Sequence, residues 1–166
     1  MTKFSVDLCP VPTEQQPANE YEQLKESWFF RWATLNRLGY SRKLIWVWFW
    51  GWIVAGPIAA ASFSPTTFSL KFVLCGAAGA GIFVVLTVLR LYLGWLYVRD
   101  RLQSDTVAYE ESGWYDGQNW EKPTTVQQRD RLIVTYQVNP ILQRLKRSFA
   151  ILALLIAIGS LIWLLS

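Results

Sequence analysis

Residues 44–63 read LIWVWFWGWIVAGPIAAASF, twenty residues without a charge. A hydrocarbon core of ~30 Å needs about 20 apolar residues in a helix, so this stretch alone predicts a spanning helix. Two more uncharged stretches follow, Phe72–Leu89 and Phe149–Leu165. Counting Leu70 and a snorkelling Lys71 starts the second span at residue 70. The resulting fold class is a mainly α membrane protein with three transmembrane helices. Its expected segments are an extended tail (1–18), an amphipathic helix (19–43), the first span (44–63) and the second span with its extension (70–98). A cap (99–148) and the third span (149–165) complete the chain.

Charge sets the topology. Residues 1–43 carry six basic groups and residues 90–148 carry nine, which leaves only Lys71 beyond the connection Ser64–Ser69. Basic residues stay on the untranslocated side, so the N-terminus and the cap are expected to be cytoplasmic, or stromal in a plastid. The Ser-Pro-Thr-Thr loop and the C-terminus then lie on the lumenal or periplasmic side. All twelve acids also fall on the inner side. The net charge of +4 is explained by this asymmetry, and no nucleic-acid partner is implied. The start, MTKFSVDLCPVP, has no apolar h-region, so no cleaved signal peptide is expected.

Each segment has local support. Trp46, Trp48, Trp50 and Trp52, with Phe49, ring the inner part of the first span. Indoles prefer the headgroup boundary; they read as an anchoring belt or as a groove for lipid or pigment. In the second span, Cys75/Gly79, Gly76/Ala80 and Ala77/Gly81 place small residues four apart, which lets helix backbones approach closely. Their partner is another span of this chain or a helix of another protein. Pro10, Pro12 and Pro17 favour an extended tail. Asn19-Glu20-Tyr21-Glu22 reads as a capping box. The stripe Tyr21, Leu24, Trp28, Trp32, Leu35 continues that helix to about Gly39. In the cap, Val107–Trp120 reads as strand, turn, strand, with Asp116-Gly117 as a two-residue type I′ hairpin turn. Thr125-x-x-Gln128 is a second capping box, starting a helix through Tyr136. Asn139-Pro140 starts the helix that enters the third span. The inner-side unit is thus a small α+β cap, hairpin plus helix.

Catalysis finds little to use. The chain has no histidine, which removes the usual neutral-pH base and the commonest metal ligand. Glu110 and Glu111 are adjacent on a predicted strand and so face opposite sides. Cys9 has no activating base in its local sequence, and no span carries a charge near its middle, as a proton or ion carrier would. The expectation is a protein that is not an enzyme. Cys9-Pro10 does match the short haem-regulatory signature, in which a thiolate ligates iron. That leaves a tetrapyrrole- or iron-handling role for Cys9 as the alternative, and an accessory subunit of a transporter or membrane enzyme as a third. Whether any cofactor is bound is not readable from the sequence.

Two long motifs carry a resemblance. One is Cys9-Pro10-Val11-Pro12-x-Glu14-Gln15-x-Pro17-x-Asn19-Glu20-Tyr21, followed by Ser27-x-Phe29-Phe30. The other is Tyr109-Glu110-Glu111-Ser112-Gly113-Trp114-Tyr115-Asp116-Gly117-Gln118-x-Trp120-x-Lys122-Pro123, then Arg129-Asp130-Arg131-Leu132 and Tyr136-x-Val138-x-Pro140-Ile141. Together they resemble the family of small membrane proteins conserved in the green lineage and diatoms, found in cyanobacteria and as a hypothetical chloroplast reading frame in some algae. The resemblance implies a thylakoid or other cyanobacterial membrane. It also implies a non-catalytic auxiliary role in assembling, maintaining or acclimating photosynthetic complexes. The expected partners are membrane lipid and photosynthetic membrane-complex subunits. The candidate contacts are Trp114, Tyr115, Asp116, Gly117 and Trp120 on the hairpin, Arg129 and Arg131 on the cap helix, and Gly76 and Ala80 on the second span.

Overall fold

A computed structural model describes residues 10–109 and 117–165. Three helices are long and apolar enough to cross a membrane. They are α2 (Arg37–Ser62), α3 (Ser69–Gln103) and α5 (Asn139–Leu165). A short helix α1 (Pro17–Glu26) precedes them. The strands β1 (Thr106–Tyr109) and β2 (Gln118–Glu121) and the helix α4 (Thr124–Ile133) lie between α3 and α5.

The central helix is α3. Its buried residues, from Gly76 and Ala80 through Val84, Val88, Leu91, Trp95, Val98 and Leu102, recur every three or four positions. That spacing keeps them on one stripe. The outer part of the stripe meets α2, where a Cβ on Gly51 would lie 3.0 Å from the Ala80 Cα. A Cβ on Gly76 would overlap the Trp52 ring. The inner part joins Tyr21, Ala33, Tyr40, Val134, Val138, Leu142 and Leu145 in the main core. Trp95 sits fully buried at its centre, its indole N–H donating to the Phe30 carbonyl at 3.3 Å and the Tyr21 ring edge-on at 6.1 Å. Burying each such large side chain contributes about 1.5–3 kcal/mol. The core therefore lies at the charged end, where the N-terminal segment, α3 and the start of α5 converge. Beyond Phe149, α5 exposes Ile151, Leu154, Leu155, Ile158 and Leu161.

Several sequence expectations are corrected. The expected helix over 19–43 is three pieces. It ends at Glu26, Ser27 is extended, a 3-10 turn covers Phe30–Thr34, and α2 already begins at Arg37. Continuing one helix would hold Phe29 and Phe30 away from the stripe. The break lets Phe30 reach α3 beside Gly94, where a Cβ would collide with its ring. Asn19 is not a cap: Pro17 opens α1, and the Asn19 side chain donates to the Thr13 carbonyl. The cap that does form is at Asn36, whose side-chain oxygen accepts from the Gly39 N–H at 2.8 Å. Gly39 thus lies inside the start of a helix and does not end one. The tail is not simply extended either, since Val11 is buried and Thr13–Gln15 form a 3-10 turn.

The hairpin exists, with β1 antiparallel to β2, Val107 opposite Trp120 and Tyr109 opposite Gln118. The expected turn at Asp116-Gly117 falls on a segment, 110–116, that lies outside the described residues. The capping box at Thr125 is also unformed; Pro123 precedes α4, and Gln127 reaches back to the Lys122 carbonyl. Finally, Asn139-Pro140 does not start a new helix. Helix runs without a break from Thr124 to Leu165, with a π turn at Val134–Val138. Proline lacks an N–H and its ring crowds the carbonyl four residues back, which here is Tyr136, and a π turn is a standard place for a helix to absorb such a defect.

Candidate functional site

The cap is held by two buried or half-buried basic side chains. Lys122 is fully buried, and its ammonium donates to Asp130 Oδ2 at 3.0 Å. It also donates to the Arg101 and Leu102 carbonyls at 3.0 and 3.1 Å. Those carbonyls lie in the last turn of α3, where helical carbonyls have no partner within the helix and a cation is favoured. Lys122 therefore fastens β2 and α4 onto the end of α3, with all three ammonium hydrogens placed. Arg101 is the second fastener. It forks onto Glu20 with two contacts of 3.0 Å and donates to the Gln15 and Ala108 carbonyls. It binds α1, the N-terminal segment and β1 together. Lower down, Tyr21 donates to Gln137, Tyr40 and Ser148 share a hydrogen bond of 3.0 Å, and Arg144 donates to the Ala33 and Leu35 carbonyls. Burial pushes the Tyr21 phenol above its usual range, with Lys25 opposing and Glu22 adding to the shift.

Among the described residues of this locked cap, one exposed apolar pair lies on the helix that leads into α5. Leu132 and Tyr136, four residues apart on the long helix, are 58% and 74% exposed. Arg129, three residues before Leu132, is exposed while it pairs with Asp130 at 3.1 Å. Arg131 pairs with Asp105 at 3.2 Å, both side chains well exposed. Arg129 and Arg131 thus stand at the surface beside the apolar pair Leu132 and Tyr136. Tyr136 precedes Phe149 by thirteen residues, about 20 Å of helix at 1.5 Å per residue.

The other singled-out residues fare differently. Trp120 is half-buried against Val11, Val107 and Tyr109, a small second core beneath the hairpin. It holds the N-terminal segment to the hairpin, which makes it an internal contact and not a free anchor. Gly76 and Ala80 are covered by α2, so their small size serves packing within the chain. Gly117 is exposed at the edge of β2. Cys9, Trp114, Tyr115 and Asp116 lie outside the described residues. Among the described residues no group of three His, Cys, Asp or Glu is placed to hold a metal ion.

A second feature opens between the 3-10 turn, α2 and α3. It is a groove of about 600 Å³ lined chiefly by Trp28, Trp32, Lys43, Trp46, Trp50 and Phe83. The belt tryptophans divide here. Trp46 and Trp50 stack at 6.1 Å in the groove, whereas Trp48 and Trp52 turn toward α3, where the Trp48 N–H donates to the Ala77 carbonyl.

Comparison with known proteins places this architecture. Residues 9–151 match the family described as Conserved in the green lineage and diatoms 27, CGLD27-like. The chain is 44% identical over 149 residues to the ycf36 protein of Pyropia yezoensis, covering 90% of each. It is 41% identical to ycf36 of Cyanophora paradoxa, covering 93% of this chain and 98% of that one. It is 47% identical over 139 residues to the chloroplastic protein Conserved in the Green Lineage and Diatoms 27 of Arabidopsis thaliana. That match takes in 83% of this chain but 42% of the longer plant protein. No solved structure matches.

Proposed function

Because the chain belongs to the CGLD27-like family, conserved in the green lineage and diatoms, we propose that it is an integral photosynthetic-membrane protein that helps assemble or maintain a photosynthetic complex without catalysing a reaction. The helices α2, α3 and α5 cross the bilayer, and the cap faces the cytoplasm or stroma. The long rows of exposed apolar side chains on these helices support the membrane placement, since water-soluble surfaces rarely carry contiguous apolar patches of that extent. The excess of basic residues at the cap end supports the orientation. The chloroplastic name of the Arabidopsis relative supports a plastid or cyanobacterial setting.

The observation that carries the partner role is the exposed Leu132–Tyr136 pair. It stands about 20 Å of helix above the span, too far out for hydrocarbon to cover it. Arg129 and Arg131 flank it. Aromatic and arginine side chains are the commonest binding anchors. The cap beneath is fastened by Lys122 and Arg101, so the surface is presented rigidly. A tagged protein purified from its native membranes in mild detergent tests this. Photosystem or cytochrome-complex subunits co-purify in stoichiometric amount, the protein itself is colourless, and the Leu132→Ser/Tyr136→Ser double variant loses the partner. A haem or chlorophyll band on an otherwise solitary protein would overturn the proposal in favour of cofactor handling.

A further inference from the structure

Among the described residues Lys25 and five basic side chains of the cap pair with carboxylates, and several others, Lys43 among them, do not; what sets Lys43 apart is where it stands. Those of the cap, Arg99, Arg101, Lys122, Arg129 and Arg131, each meet a carboxylate. Lys43, near the start of α2, meets none among the described residues; its ammonium rests 5.4 Å from the centre of the Trp32 ring. Among the described residues it is also the one charged side chain lining the groove of Trp28, Trp32, Trp46, Trp50 and Phe83. An unpaired cation at the mouth of an otherwise apolar groove is complementary to an anionic group carried on an apolar body.

The length of the groove says which one. Lys43 marks its inner end and Val54, also in the lining, its deepest point on α2. Eleven residues of helix separate them, about 16 Å at 1.5 Å per residue. Half of a hydrocarbon core of ~30 Å is about 15 Å, so the groove runs the depth of one leaflet. Trp46, Trp50 and Val54 stand four residues apart on a single helix face, and Gly51 leaves the floor low where α2 meets Ala80. We infer that this groove seats one membrane lipid of the inner leaflet with an anionic headgroup, its headgroup on Lys43 and an acyl chain along Trp46, Trp50 and Val54. Trp28 and Trp32 line the groove at its Lys43 end and carry polar indole N–H groups. This rests on the membrane placement proposed above, and it is independent of the partner role.

The test uses the full-length protein in mild detergent, incubated with equal amounts of phosphatidylglycerol and phosphatidylcholine and examined by native mass spectrometry. One phosphatidylglycerol per chain is retained in preference. Lys43→Gln lowers that retention about fivefold, the equivalent of about 1 kcal/mol for one basic residue facing an anionic surface. Lys146→Gln, which removes an exposed cation outside the groove, leaves it unchanged. Equal retention of the two lipids, or equal loss in both variants, would overturn the lipid seat, as would a pigment mass in the protein isolated from native membranes. Alkaline carbonate washing separates this from the membrane reading. Release of the protein from membranes sinks both, whereas a membrane-retained protein with no dependence on Lys43 sinks only the seat.

Discussion

Lys122 is the side chain whose loss the fold should tolerate least. Its fully buried ammonium serves Asp130 and two carbonyls at the end of α3. Removing one partner of a buried pair costs about 3–5 kcal/mol, so Lys122→Met should lower thermal stability in detergent by that amount. Arg131→Gln, which breaks an exposed pair with Asp105, should cost less than about 1 kcal/mol. Tyr21 supplies a pH signature. Its folded-state pKa is raised, so its contribution is fully present below about pH 10 and fades as pH climbs through the raised value. Tyr21→Phe should therefore be less stable than the wild type at neutral pH, and the deficit should shrink above pH 10; a deficit that stays constant would contradict the assignment. At this scale the sequence says little in advance. Lys122 and Asp130 stand eight residues apart across a strand end and a helix, and Glu20 and Arg101 lie far apart in the chain. No local pattern joins either pair. Leu132 and Tyr136 look like two more apolar helix positions until the cap is assembled and leaves them uncovered.

The long elements were the most legible, because a run of twenty uncharged residues has one economical outcome in lipid and periodicity has room to repeat. The three uncharged stretches fall in α2, α3 and α5 except for Phe63, which caps α2, and α3 ends at Gln103, five residues past the expected limit at 98. Short local signals fared worse. Two capping boxes gave way to helix starts at Pro17 and just after Pro123. Contacts from distant residues decided each case: Phe30 had to reach Gly94, and Lys122 had to reach α3. The small-residue motif illustrates the middle ground. The sequence announces a close helix approach, and the fold supplies α2 as its partner. Gly51 faces the Ala80 backbone, which cannot yield as a side chain can. Gly51→Val should force the two helices apart at a cost of about 1–3 kcal/mol, seen as a lower unfolding temperature in detergent; an unchanged value would mean that the helices do not meet there.

At the scale of the whole molecule, charge, burial and exposure divide the chain into three zones. The far end holds almost no polar chain, the middle presents apolar helix faces, and the near end is a cap whose basic groups are largely consumed by internal pairs. Among the described residues the cap exposes a short apolar row beside Arg129 and Arg131, and the partner role proposed for this protein rests on that row. The most direct measurement places a photo-crosslinking benzophenone side chain at position 136 in the native membrane, with position 66 at the opposite end as a control. The account predicts one discrete adduct from position 136, to a subunit of a photosynthetic membrane complex, and none from position 66. Adducts confined to lipid or to a second copy of the chain would contradict it.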